Sequence, residues 1–102
     1  MDLTLDCTVR GATAELTLNG DLDMAAAFKL EPAVERVVAE NEVDELVLDL
    51  SGVSFMDSAG LGSLLSTHER LSGLGIKSNI TKPSAAVERV LDATGTLGVL
   101  ES

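Results

Sequence analysis

The side chains of this chain that could carry chemistry are few. There is one cysteine, Cys7, one histidine, His68, and a loose set of aspartates at Asp21, Asp23, Asp49 and Asp57. The last of these stands beside Ser58 in the run Val53-Ser54-Phe55-Met56-Asp57-Ser58-Ala59-Gly60-Leu61-Gly62. Two glycines in the first turn of a helix weaken it by about 1 kcal/mol each relative to alanine. Their placement therefore has a reason: either something else approaches the backbone closely, or the helix packs tightly on its neighbour. Ser58 falls where a helix N-cap belongs. Its hydroxyl either satisfies an orphan amide of the first turn or accepts a phosphate. A phosphate there would meet exposed amides and the positive end of the helix dipole. It would add roughly −1.5 to −2 charges beside Asp57.

Other chemistries fit poorly. His68 is ten residues from Ser58 on the same predicted helix, about 15 Å away at 1.5 Å per residue. That distance excludes a Ser-His pair of the hydrolase kind, and a partly buried structural histidine is expected. Cys7, alone, forms no internal disulfide or multi-cysteine metal site, and is read as a small core residue. The aspartates are isolated rather than paired, so neither a metal site nor a phospho-aspartate receiver is expected. No Walker loop occurs, and Gly60-Leu61-Gly62 lacks the third glycine of a dinucleotide loop. No cofactor, no metal and no enzymatic activity are therefore expected.

The elements that must position Ser58 are legible from periodicity. Leu3, Leu5, Cys7 and Val9 alternate with polar residues, as do Ala14, Leu16 and Leu18; with Gly11 between them, the two runs read as a hairpin with one buried face. Asp23 caps a helix over 24–40, with a kink expected near Pro32, or a short turn from which the helix restarts, because proline has no N–H for the Phe28 carbonyl. Residues 45–50 are a strand and 51–57 a loop. A helix over 58–72 carries Leu61, Leu64, Leu65, His68 and Leu71 on one stripe. Residues 76–80 are a strand, and Pro83-Ser84 open a third helix ending near Gly95. Leu97, Val99 and Leu100 are expected to pack back on the fold. The order β-β-α-β-α-β-α predicts an α/β fold with a mixed sheet of four to five strands. Because the strands alternate, the helices are expected mainly on one face. One domain spans residues 1–102.

Composition narrows the role. Of 102 residues 45% are apolar, but only 2% are aromatic, so the core must be aliphatic. The formal net charge of −10 disfavours nucleic acid and anionic lipid as direct partners. No apolar run approaches the ~18 residues of a membrane span. Met1-Asp2-Leu3-Thr4 lacks a basic flank, so no secretory leader is expected. A cytoplasmic location follows as the simplest expectation.

At this point the residues resemble a known family. Asp57-Ser58-Ala59-Gly60-Leu61-Gly62 looks like the signature of STAS domains, in particular of the small stand-alone anti-sigma factor antagonists of bacteria. Gly20-Asp21-Leu22-Asp23 resembles the family's Gly-acidic-Leu-Asp element, and Lys82-Pro83-Ser84 with Val87, Val90, Leu91, Thr94 and Gly95 resembles its third-helix segment. Lys82 stands where an asparagine would be expected. The resemblance implies a protein whose unphosphorylated form binds an anti-sigma factor that is often also a serine kinase, releasing a sigma factor. Phosphorylation of Ser58 would end that binding, and a PP2C-type phosphatase would restore it. Asp21, Asp23, Met56, Asp57, Ser58, Ala59, Gly60 and Leu61 would form the contact, with Met56, Ala59, Gly60 and Leu61 at its apolar centre. The chain itself would be a monomer or weak dimer. Two other roles are weighed beside this one: a scaffold or accessory subunit, stressosome-like or transporter-associated, and a small-ligand carrier. An isolated chain without a catalytic constellation or an aromatic-lined cavity favours the first role.

Overall fold

The structure is a computed structural model and describes residues 2–95. Strands β1 (Thr4–Arg10) and β2 (Thr13–Leu22) are followed by helix α1 (Met24–Glu40), strand β3 (Glu45–Met56), helix α2 (Ser58–Gly73), strand β4 (Lys77–Thr81) and helix α3 (Ala85–Thr94). The four strands lie in the sheet in chain order. β1 is antiparallel to β2, whereas β2, β3 and β4 run parallel. Gly11, at φ 60°, opens the two-residue turn between Arg10 and Thr13, a conformation that costs glycine nothing.

Register explains the single core. Leu16, Leu48 and Ile80 stand abreast on three strands, with Leu46 and Ser78 beside them, and all are buried. α1 lays Ala26, Leu30, Val34 and Val37 on this face, α2 adds Leu61, Leu64 and Leu71, and α3 adds Val87 and Leu91. The alternate strand positions, among them Thr13, Glu15, Val47 and Asp49, remain partly or fully exposed. Buried residues of one parity, unbroken through β2, β4 and β3 as far as Leu50, are the mark of a sheet packed on one side. The sheet has four strands among the described residues, and its helices lie on one face, as expected.

α1 is continuous through Pro32, which sits on its exposed side, so the helix does not restart there; the buried stripe on the opposite side holds the helix together across the missing bond. Two further expectations are corrected. β3 does not end at Leu50 but continues to Met56. Cys7 is exposed rather than in the core, and Val9 is 38% exposed. Both point to the helix side of the sheet, but β1 is an edge strand and α1 lies over its inner neighbour. His68 is half-buried, with Nδ1 2.6 Å from the hydroxyl of buried Ser78, a structural setting. Arg70 of α2 donates to Glu35 of α1 at 2.7 Å, tying the two helices at the surface. The expected packing of Leu97, Val99 and Leu100 falls outside the described residues.

Candidate functional site

The site forms where two parallel strands end together. Leu22 and Met56 are register partners, the last residues of β2 and β3. Each is followed by one aspartate and then by a helix. Asp23 Oδ1 accepts the N–H of Ala26 at 3.0 Å, and Asp57 Oδ1 accepts the N–H of Gly60 at 2.8 Å. Both helices thus begin with the side-chain cap that orphan amides require. The N-cap of α2 is Asp57, not Ser58, which corrects the expected position by one residue. Ser58 becomes the first helical residue. It is exposed, and its hydroxyl makes no hydrogen bond with any described residue. With the capping task taken by its neighbour, the hydroxyl is left for solvent.

Gly60 shows why a glycine is needed here. It is buried against β2, and a Cβ on it would overlap the Leu22 carbonyl oxygen. The same carbonyl accepts the N–H of Asp57 at 3.4 Å. The helix start is therefore seated backbone to backbone on the end of β2. Gly62 differs. It is exposed, and a Cβ there would meet nothing within 4 Å. It lies one turn beyond Ser58 on the outer side of α2, leaving that surface bare.

The anticipated contact residues divide into two groups. Asp21, Asp23, Asp57 and Ala59 are partly exposed and Ser58 is exposed; these five share the end of the sheet. Asp21 accepts the hydroxyl of Ser54 at 3.1 Å, and that hydroxyl also reaches the Gly20 carbonyl at 3.4 Å. Met56, Gly60 and Leu61 do not reach the surface. Met56 is 4% and Leu61 8% exposed, both within the core. Their apolar side chains face the sheet-helix interior because strand and helix periodicity place them on the buried side; they hold the surface in position rather than forming it.

Two residues outside the anticipated set supply apolar surface instead. Phe55 is 50% and Met24 65% exposed. Phe55 is the register partner of Asp21, and Met24 follows the Asp23 cap. β3 carries extra residues against β2, with register shifts at Thr17/Asn19 and Gly20/Asp21. Such bulges re-aim side chains, and this one turns Phe55 outward while Met56 stays in. The signal available in sequence was an aromatic in a chain with only two, three residues before Ser58. No cluster of His, Cys, Asp and Glu suited to a metal ion occurs among the described residues.

Comparison with known proteins places this arrangement. Residues 4–101 match the family model described as STAS domain. Over 93 residues the chain is 32% identical to the anti-sigma-F factor antagonist RsfB of Mycobacterium tuberculosis (strain ATCC 25618 / H37Rv), covering 91% of this chain and 75% of that protein. Among solved structures, an anti-sigma factor antagonist from Mycobacterium paratuberculosis aligns with a TM-score of 0.84 at 30% identity, covering 97% of this chain and 83% of the other. The anti-sigma factor antagonist SpoIIAA in its unphosphorylated form aligns with a TM-score of 0.78 at 25% identity, over 99% and 86% of the two chains. A Bacillus SpoIIAA structure in the phosphorylated form shares the fold at a TM-score of 0.72 and 24% identity, over 99% and 89%. A mixed four-stranded sheet, helices on one side and an exposed serine opening the second helix are thus features of a chain that belongs to the STAS domain family.

Proposed function

We propose that this protein is an anti-sigma factor antagonist: its unphosphorylated form binds an anti-sigma factor, and phosphorylation of Ser58 ends the binding. One observation carries the reading. Ser58 is exposed at the first position of α2, with its hydroxyl unengaged among described residues and its neighbour Asp57 acting as the cap. The names of the relatives support it, RsfB being an anti-sigma-F factor antagonist. So does the existence of SpoIIAA in unphosphorylated and phosphorylated forms. The anti-sigma factor serves as the serine kinase, with ATP bound on its side, and a PP2C-type phosphatase reverses the modification. The protein works by binding rather than catalysis, in the cytoplasm; no helix among the described residues is long and apolar enough to cross a membrane.

The geometry supplies a mechanism. The helix starts at Ser58, so the amides of Ser58 and Ala59 stand at its open, positive end. A phosphate on Ser58 is tolerated by those amides, and the fold stays intact. Asp57 cannot swing away from the added charge without giving up its bond to Gly60. Asp21 and Asp23 lie at the same strand end. Two more negative charges on this surface raise the cost of desolvating it against a partner, and each 1.4 kcal/mol lost lowers affinity about tenfold. The partner contact comprises Asp21, Asp23, Asp57, Ser58 and Ala59, flanked by Met24 and Phe55.

The test is binding to the purified anti-sigma factor by calorimetry, with intact-mass analysis after incubation with ATP. Ser58→Ala should bind and gain no mass; Ser58→Glu should bind at least about tenfold more weakly; the native chain should gain one phosphate, mapped to Ser58. Equal affinity of all three forms, or phosphate on another residue, would overturn the reading.

A further inference from the structure

We propose that a second copy of this chain pairs its β1 with β1 of the first, antiparallel, about a two-fold axis at Cys7, to form a continuous eight-stranded sheet. The inference is independent of the anti-sigma reading. Among the described residues β1 pairs with β2 alone, and no described strand lies on its outer edge. Natural edge strands are blunted by proline, bulges or charged side chains, lysine above all. β1, Thr-Leu-Asp-Cys-Thr-Val-Arg, has no proline, bulge or lysine; its register with β2 is unbroken over all seven residues, and its charges are one of each sign, Asp6 and Arg10.

The alternation of peptide groups favours this pairing. In a two-residue hairpin the residues flanking the turn, here Arg10 and Thr13, form a hydrogen-bonded pair. By alternation Thr4, Asp6, Thr8 and Arg10 direct their peptide groups to β2, while Leu5, Cys7 and Val9 direct theirs outward. Cys7 is the midpoint of the strand. Two-fold pairing there sets Leu5 opposite the partner's Val9 and Cys7 opposite the partner's Cys7, each pair able to exchange both main-chain bonds. The apolar side chains meet on the helix side, where Cys7 and Val9 are exposed beyond the reach of α1. A groove at Leu5 is lined by Phe28, Pro32 and Ala33 together with Lys29 and Arg36, with Phe28 77% exposed.

Charge is compatible as well. β1 carries one aspartate and one arginine, a neutral strip on a chain of net charge −10. On the open face the pairing sets Asp6 opposite the partner's Thr8, with the partner's Arg10 on one diagonal and the partner's Asp6 on the other, so each Asp6 has an arginine within reach of a cross-strand ion pair to offset the like charge. A slip by two residues in one direction sets Asp6 against the partner's Asp6; in the other direction it leaves Leu5 unpaired. The Ser58 surface lies at the far end of β2 and β3 from the hairpin turn, so antiparallel pairing leaves one such surface at each end of the sheet.

The experiment is sedimentation velocity from micromolar to millimolar concentration, with diamide oxidation of the native chain as a register probe. Partial burial pushes the Cys7 thiol above its ordinary value, so oxidation is run at mildly alkaline pH, diamide taking the two electrons and two protons of the thiol pair. A hydrogen-bonded pair separates Cα atoms by about 5.5 Å, within disulfide reach. A dimer fraction rising with concentration, a Cys7–Cys7 disulfide forming faster in the native protein than in urea, and a midpoint moved at least about tenfold upward by Val9→Lys or Cys7→Lys would support the pairing. Adding a lysine to so acidic a chain relieves general repulsion, so a loss of dimer in those variants reports the edge itself. A monomer at every concentration, a dimer indifferent to both variants, or assembly beyond the dimer would overturn it.

Discussion

Asp23 and Asp57 occupy equivalent places in the fold: each stands one residue past the paired strand ends Leu22 and Met56, and each caps the helix that follows. The two junctions build one surface from two chain reversals. Replacing either aspartate by alanine should lower the unfolding free energy by about 1 kcal/mol. Urea denaturation checks this, with a lowered midpoint and an unchanged slope as the expected outcome. Asp57→Asn should retain most of the stability, because the amide oxygen still accepts from Gly60.

The two glycines of α2 should respond in opposite directions. Gly60→Ala forces a methyl group onto the Leu22 carbonyl and should cost about 1–3 kcal/mol as an overpacked site. Gly62→Ala meets no neighbour and should stabilise by about 0.5–1 kcal/mol, the usual gain over glycine within a helix. Thermal unfolding of the two variants separates the two roles. On the proposed reading, Gly62→Ala should also weaken partner binding, because the added methyl lies on the surface one turn from Ser58.

Neighbouring residues Phe55 and Met56 should part company in the same way. Phe55→Ala, at an exposed position, should leave stability nearly unchanged and reduce affinity for the anti-sigma factor by about 1–2 kcal/mol if it anchors the contact. Met56→Ala should cost about 2–5 kcal/mol of stability as a core deletion, with little direct effect on affinity in the folded fraction. Calorimetric binding and denaturant titration on both variants test the pair.

The hydrogen bond from Arg70 holds the Glu35 carboxyl below its ordinary value. A carboxyl depressed in the folded state stabilises above its unfolded pKa, and that stabilisation fades as pH falls through the folded value. The difference in melting temperature between the native chain and Glu35→Gln should therefore be present at pH 7 and vanish in acid. High salt should shrink it, since the pair is exposed.

Much of this architecture is written in local pattern. The alternation of Ala14, Leu16 and Leu18, the stripe through Leu61, Leu64 and Leu71, the cap at Asp23 and the helix start at Pro83-Ser84 needed no tertiary knowledge, and Ser58 stood out by its setting. What stayed hidden depends on partners in space. The bulges opposite Thr17 and Gly20 break alternation in β3, so residues 51–56 read as loop and Phe55 could not be told from Met56. The exposure of Cys7 follows from where α1 lies over the sheet, which periodicity does not encode. The cap moved from Ser58 to Asp57 because both residue types cap well, and only backbone geometry separates them.

The one-residue junction between β3 and α2 bears on how Ser58 is reached. A serine on a slack loop can be drawn out and threaded into a kinase cleft as extended peptide. Here the strand ends at Met56, the helix begins at Ser58, and Gly60 locks the start against the neighbouring strand, so nothing can be reeled out without unravelling the helix. An enzyme that modifies this side chain has to bring its cleft to a folded epitope, and a synthetic peptide of the same residues should make a poor substrate.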